Sequence, residues 1–418
     1  MVVPAILDGV QVLAASGEKI LTGEGIVSLL RVALLVVAAA PLVYYLLSLY
    51  CVVDYFRSLS RKRAYPRVTR PPVSILKPVR GADREAYQNF ASFCSLDYPD
   101  YEIVFATADP DDPAVPVIRK LQEDFPSCRI RLVTGVLNRG ANNKVNNLCQ
   151  LVREARYEHV AISDSDVRVE RDYLREVVAP FADSQVGVVT TFYRGLSARG
   201  LASSLDAISM YTDSAPAALV ARKLERKMQF AFGWTMATTK SVLSGIGGFE
   251  SMVNHHSDDF ELGNRVSRLG LRVELMRKPV WMVLPKETLS EHLRHELRWS
   301  IGLRNVRPAG YLGMLFTHGL PWAVLASLVA LAAGWTGLAA GYLLAYLVLR
   351  LGVVWITAAW GFGDARAARK LYLVPLRDAL GFAVWFAGLF LDKIVWRGLS
   401  YHVRKGLLVP VQNRKLAH

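Results

Sequence analysis

The chain has 418 residues, 52% of them hydrophobic, and carries 50 Lys and Arg against 36 Asp and Glu, a formal net charge of +14. That length holds one soluble domain together with membrane segments. The charge suits a nucleic acid, an anionic lipid surface or a phosphate-rich ligand, but no basic-plus-aromatic nucleic-acid motif is present, so nucleic acid is set aside as a partner. The four cysteines, Cys51, Cys94, Cys128 and Cys149, show no paired spacing; this argues against a disulfide framework and fits a reducing compartment.

In chain order, residues 1–27 read as an extracytoplasmic segment and residues 28–56 as a transmembrane helix. Residues 32–53 are uncharged for 22 positions, enough to span the roughly 30 Å hydrocarbon core. Arg57, Arg61, Lys62, Arg63, Arg67 and Arg70 follow, and this basic flank predicts a cytoplasmic side. Residues 57–285 read as a cytosolic α/β domain. Apolar runs at 73–76, 102–106, 130–133, 159–163 and 186–191 predict strands, and 115–124 and 143–155 predict helices between them. Strands separated by helices make βαβ units and a mostly parallel sheet. Ligands bind such sheets beyond the carboxyl ends of the strands, where Asp109, Asp111, Asp112, Asp164 and Asp166 fall.

Asn142-Asn143-Lys144 opens a helix; a lysine among amide donors there suits a phosphate, or the run is a solvated cap. Asp164-Ser165-Asp166 is a D-x-D pattern whose hard oxygens suit Mg²⁺ or Mn²⁺ on a diphosphate, or form an Asx turn leaving the strand. Asp258-Asp259 opens a helix over 259–269. Acidic residues favour a first turn electrostatically, and one of them is placed to act as a general base on a hydroxyl. His255-His256 lacks further ligands at metal spacing.

Residues 286–307 read as an interfacial amphipathic helix, with Leu289, Leu293, Leu297 and Ile301 every fourth residue and arginines on other faces. Arg298 and Trp299 on it suit a diphosphate and a sugar, or anchor the helix at the headgroups. Residues 308–395 read as membrane helices. No Lys, Arg, Asp or Glu occurs over 308–349; Arg350 follows as an intramembrane arginine, functional, paired locally or snorkelling to the interface. The stretch 379–391, short and flanked by Arg377-Asp378, predicts a re-entrant or paired helix. Residues 396–418 read as a basic cytosolic tail.

The segments Leu76-Lys77-Pro78-Val79-Arg80-Gly81-Ala82-Asp83, Asp109-Pro110-Asp111-Asp112, Asn143-Lys144-Val145-Asn146-Asn147, Asp164-Ser165-Asp166, Asp258-Asp259-Phe260 and Arg298-Trp299, together with residues 395–403, stand in the order seen in the ceramide glucosyltransferase family. The chain resembles that family over nearly everything from about 30 to 410. The resemblance implies a GT-A nucleotide-diphospho-sugar transferase domain on transmembrane helices. It implies a UDP-sugar donor, UDP-glucose by default, and a membrane lipid hydroxyl as acceptor, either ceramide or, as in similar bacterial enzymes, a hopanoid receiving N-acetylglucosamine. It further implies that Asp259 is the catalytic base and that Asp164 and Asp166 hold Mn²⁺ or Mg²⁺. Asp83, Asp109, Lys144, Arg298 and Trp299 would line the nucleotide-sugar site, and transfer would invert the anomeric carbon. The implied setting is a multi-pass membrane protein with its catalytic domain in the cytosol, the bacterial inner membrane being the expected location. One departure stands out: the family's Gln or Arg three residues before Arg298 is His295 here.

Two other readings compete. A processive polysaccharide synthase calls for Gln at His295 and for more spans. A non-catalytic lipid-binding protein on a degenerate transferase fold calls for lost aspartates, and all three are present.

Overall fold

The computed structural model describes residues 23–61, 70–196 and 200–411. Most of the expected extracytoplasmic segment, Lys62, Arg63 and Arg67 of the basic flank, and Arg414 and Lys415 of the expected tail lie outside the described residues. Two compact units make up the chain. One holds residues 1–47 and 313–352, and the other residues 48–312 and 353–418.

Helices α1 (Gly23–Ala38) and α2 (Ala40–Arg61) run in close succession. The α/β domain follows with β1 (Val73–Pro78), α3 (Ala86–Phe93), β2 (Tyr101–Ala106), α4 (Ala114–Asp124), β3 (Ile130–Val133), α5 (Asn143–Glu154), β4 (His159–Ser163), β5 (Val167–Arg168) and α6 (Tyr173–Val178). It continues with β6 (Val186–Thr190), β7 (Tyr193–Leu196), α7 (Leu201–Ser209), α8 (Ala215–Leu224), β8 (Thr235–Thr239), α9 (Lys240–Gly245), α10 (Asp258–Arg268), β9 (Arg272–Leu275) and β10 (Val280–Val283). Then come α11 (Leu289–Val306), α12 (Pro308–Gly313), α13 (Gly319–Ala332), α14 (Thr336–Trp355), α15 (Ala365–Ala368), α16 (Val374–Phe390) and strands β11 (Lys393–Trp396), β12 (Leu399–Arg404) and β13 (Leu407–Pro410).

The five expected strands form, and they sit in a seven-stranded sheet of order β3-β2-β1-β4-β8-β6-β9. β3, β2, β1 and β4 are mutually parallel, whereas β8 runs antiparallel to both neighbours. β1 and β4 are buried almost throughout, as continuous apolar strands covered on both faces should be. The chain leaves β1 for β2 on one side and returns as β4 on the other. The gap beyond the ends of β1 and β4 is therefore the topological switch point, where such sheets bind ligands.

Among the described residues, three helices are long and apolar enough to cross a membrane: 25–61, 336–361 and 371–390; the bent pair 308–317 and 319–332 qualifies together. In the first unit Arg350 packs over the Tyr45 ring at 5.1 Å, the local pairing among the alternatives considered for it. The last apolar helix differs from the sequence reading. The 13-residue count stopped at Arg377-Asp378, but both are buried, and Arg377 pairs with Glu296 at 2.7 Å and Asp213 at 3.0 Å. A paired charge does not end a buried helix, so the helix runs through it.

The segment expected to be a basic tail is folded to residue 410. β11, β12 and β13 form an antiparallel sheet whose Ile394, Tyr401, Val403 and Leu408 pack against Ile301 and Leu297 of α11. The fourfold stripe on α11 thus has a protein partner in this region.

Candidate active site

β4 delivers Asp164-Ser165-Asp166 to the switch point. The turn rests on Lys77, a lysine with no exposed surface in β1. Its Nζ donates to the Asp164 carbonyl at 2.7 Å and lies 3.9 Å from the Phe93 ring centroid. Burial pulls this ammonium down to about 7 despite the nearby carboxylates of Asp164, Asp166 and Asp83.

Lys144 comes from the first turn of α5. Asn142 caps that helix by accepting from the Val145 amide, and its own amide nitrogen donates to the His255 carbonyl at 2.7 Å. The capping residue therefore ties α5 to the segment leading into α10. As a result Lys144 reaches both Asp164, at 2.8 Å, and Asp258, at 3.2 Å. Burial works against its charge, but Asp164, Asp258 and Asp259 together hold it above the ordinary lysine value.

Asp258 and Asp259 occupy the first turn of α10, where the helix dipole favours negative charge. Gly263, one turn on, lets α10 close on the backbone of 230–231: a Cβ there would fall 2.4 Å from Phe230 C and Ala231 N. This approach brings Asp259 against Gly233. A point one bond out from Gly233 is 3.3 Å from Lys144 Nζ, 3.4 Å from Asp164 Oδ2 and 3.6 Å from Asp259 Oδ2. Asp258 is buried at 5% exposure, while Asp259 keeps part of its surface open. Burial, then the like charge of Asp258, raises the Asp259 carboxyl to about 6 against the pull of Lys144.

On the far side, Asp83 accepts from the Ser165 hydroxyl and takes a two-pronged contact from Arg397, at 2.8 and 3.2 Å. Arg397 and Gly398 form the β11–β12 turn, with φ of 48° and 80°. Two left-handed residues make the tight turn that suits a two-residue hairpin. Arginine is a costly choice there, and here its side chain lands on Asp83. The hydrogen bond to Asp83 raises the Arg397 guanidinium above its ordinary value, against burial.

Arg298 from α11 stands beside this pair. Its guanidinium lies 5.4 Å from the Trp396 ring and 5.9 Å from that of Trp299, and it makes no ion pair with any described residue. Burial and the repulsion of Arg397 lower it to about 10. A cation set on aromatic faces, with Asp259 and Asp164 near but outside ion-pair contact, is a ready anion site. Trp299 is 36% exposed, and His295 packs on it at 4.3 Å. Burial, then Arg298, holds His295 down at about 3, so it stays neutral.

The structure thus gathers Asp83, Lys144, Asp164, Asp166, Asp259 and Arg298 into one group, with Trp299 at its edge. Asp109 is exposed in the loop after β2 and its carboxylate accepts from the Asp111 amide at 2.9 Å. Its buried neighbour Asp112 is structural, binding the Gly81 and Ala114 amides. His255 and His256 do not build a metal site: His256 is pressed against α11 beside Gly302, and burial lowers it to about 4. Three contributors lay outside the sequence reading of the site. Lys77 and Arg397 stood in the matched motifs without a role, and Asp258 read with Asp259 as an acidic pair, without the contact to Lys144.

A hard divalent cation fits Asp164 and Asp166. The Asp166 Oδ1 is buried without a hydrogen-bond donor among the described residues. Burial, then Asp164 and Asp83, raises Asp166 to about 7. Adjacent carboxylate oxygens short of positive charge are what Mg²⁺ or Mn²⁺ takes, with phosphates completing the shell.

A family model described as glycosyl transferase family 21 matches residues 33–409. The chain belongs to glycosyl transferase family 21. This family 21 chain is similar to ceramide glucosyltransferase 1 of Caenorhabditis elegans, 26% identical over 251 residues, 59% of this chain and 53% of that protein. It is also similar to the ceramide glucosyltransferase of Gibberella zeae, 31% identical over 134 residues, 30% of this chain and 25% of that one. The chain spans about half the length of the first of these relatives, and less of the second. Among solved structures, a mannosyltransferase from Pyrobaculum calidifontis in complex with GDP-Man and Mn²⁺ aligns over 85% of this chain and 99% of its own. The TM-score is 0.49 and the identity 18%. Family 21 membership and the sheet order agree on a GT-A-like fold, as the sequence resemblance implied.

Proposed function

We propose that the family 21 chain transfers one sugar from a UDP-sugar, UDP-glucose by default, to the hydroxyl of a membrane lipid, ceramide first. The observation that carries this is the convergence at Gly233. Lys144, Asp164 and a partly open Asp259 meet there within van der Waals reach of one point, with an unpartnered arginine, Arg298, in the same site. A carboxylate raised to about 6 is ionised at neutral pH and basic enough to take a hydroxyl proton.

In this reading Asp164 and Asp166 hold Mn²⁺ or Mg²⁺, which screens the charge that builds on the departing diphosphate. Arg298 and Arg397 flank the diphosphate, Asp83 and Lys144 line the donor site, and Asp109 lies at its rim. Trp299 borders the sugar. Asp259 takes the proton of the lipid hydroxyl as its oxygen bonds to the anomeric carbon. The bond from that carbon to phosphate breaks on the opposite face, UDP leaves, and the configuration inverts. Arg298 also faces Asp259 and Asp164 electrostatically, so it links leaving group and base.

The acceptor side has its own support. α11, which carries Arg298 and Trp299, packs on α16, and α16 lies within the apolar helix 371–390. Arg304 of α11 donates to the Gly388 and Leu389 carbonyls, both at 2.6 Å, where a helix end favours a cation. A multi-pass protein in the bacterial inner membrane, with residues 57–285 on the cytosolic side and 286–307 along the interface, fits these contacts.

The test is product mass after incubating detergent-purified protein with Mn²⁺, UDP-glucose or UDP-N-acetylglucosamine, and ceramide or bacteriohopanetetrol. A hexosylceramide supports the reading. An N-acetylhexosaminyl hopanoid keeps the mechanism and replaces both substrates. No lipid product with any pairing refutes it.

A further inference from the structure

We propose a second metal site in this chain, a structural one of the zinc type, formed by Asp206, Glu287 and His292. None of the three belongs to the group around Asp164, and the proposal does not depend on the donor or acceptor.

Asp206 lies in α7, Glu287 just before α11, and His292 in the first turns of α11. One ligand atom from each lies within 4.8 Å of the others. The Glu287 Oε1 to His292 Nδ1 separation is 3.3 Å. Two ligands bound tetrahedrally to zinc at about 2.1 Å sit about 3.4 Å apart, so two of the three are already at ligand spacing. The Asp206 carboxylate lies within 4.8 Å of both.

The independent observation is Asp206 itself. It is 1% exposed, and neither carboxylate oxygen finds a hydrogen-bond donor among the described residues. Buried carboxylates are normally paired or bound to metal, and this one faces Glu287 and His292. Its surroundings add negative charge. Glu296, one turn beyond His292, acts on Asp206. The cation nearby, Arg377, is engaged by Glu296 at 2.7 Å and Asp213 at 3.0 Å. Tyr193, which also interacts with Asp206, is itself an acid. The cluster therefore sets Asp206, Glu287 and Glu296 against one shared arginine and the His292 imidazole, which already hydrogen-bonds Glu287 at 3.3 Å, and leaves Asp206 as the carboxylate without a donor at the place where three ligands converge. Two carboxylates and an imidazole are a zinc donor set; calcium and magnesium favour all-oxygen sites.

The consequence is mechanical. α7 and the start of α11 already touch through the Ser203 hydroxyl on the Pro285 carbonyl at 2.7 Å. A metal across Asp206, Glu287 and His292 fixes the root of the helix that carries Arg298 and Trp299 one to two turns further on.

The experiment uses the full-length detergent-purified protein, loaded with Zn²⁺ and passed over a chelating resin, with metal content read by elemental analysis. Wild type and Asp164→Ala should each retain about one equivalent of zinc, whereas Asp206→Asn and His292→Gln should retain about a tenth of that or less. A strong chelator should lower the melting temperature of wild type and leave that of His292→Gln unchanged. If either variant fails to fold, X-ray absorption of the zinc-loaded Asp164→Ala protein decides. One imidazole among oxygen ligands supports the site; a shell without imidazole overturns it. Wild type that retains no zinc, or variants that retain as much as wild type, also overturn it.

Discussion

Replacing Asp258 by asparagine tests how the site sets its base. Asp259 stands at about 6 because it is buried and because Asp258 repels its charge, with Lys144 opposing. A base must be ionised, so kcat/KM should climb as pH rises through about 6, and kcat/KM reads the free enzyme. Near pH 5 about one Asp259 in ten is ionised. Asp258→Asn removes the like charge, and the Asp259 value must fall. Burial, the larger cause, remains, so the fall is less than the roughly two units that separate 6 from an ordinary aspartate. A drop of about one unit raises the relative rate at pH 5 from about a tenth to about a half of the plateau. The assay is initial rate with donor and lipid both well below their KM values, from pH 4.5 to 8. Saturating Mn²⁺ keeps Asp166 ionised, so its own elevation to about 7 drops out of the profile. The plateau falls as well, because Lys144 loses a partner, but only the position of the acid limb is read. A limb that stays in place or moves to higher pH refutes the assignment.

Two further outcomes follow from the geometry. Asp164→Ala should abolish the Mn²⁺ dependence of UDP binding measured by titration calorimetry; unchanged dependence removes Asp164 from the metal site. Arg397→Ala should raise the donor KM about 10- to 100-fold, the worth of a charge-assisted hydrogen bond of about 1.5–3 kcal/mol, with Arg397→Lys recovering part of it. An unchanged donor KM would make the Asp83 pairing a fold contact alone.

The parallel half of the sheet was legible because its strands are short apolar runs between amphipathic helices, and Ile75, Ile103 and Ile162 are indeed buried. β8 was not: Thr235-Met236-Ala237-Thr238-Thr239 is small and polar, and it is a strand because β4 and β6 pair with it from both sides. α16 was cut short because Arg377 and Asp378 read as a boundary, whereas the partners of Arg377, Glu296 and Asp213, lie far away in sequence. The C-terminal sheet carried a local signal that charge obscured. Arg397-Gly398 and Lys405-Gly406 are paired left-handed turns between alternating runs, yet the basic residues read as a solvated tail. Asp164 and the pair Asp258-Asp259 drew attention by their positions at a strand end and a helix start, and the choice of Asp259 within the pair came from the family resemblance. The roles of Lys77 and Arg397 depend on tertiary contacts with Asp164 and Asp83, which no spacing encodes.

In the proposed mechanism Asp259 activates the lipid hydroxyl while other residues hold the donor. The most direct test compares wild type with Asp259→Asn for UDP-sugar affinity by calorimetry and for turnover by product mass. Affinity should stay within a few-fold while turnover falls about 10²–10⁴-fold, the usual cost of losing a general base. Equal losses of affinity and turnover, or turnover that survives, would rule out Asp259 as the base.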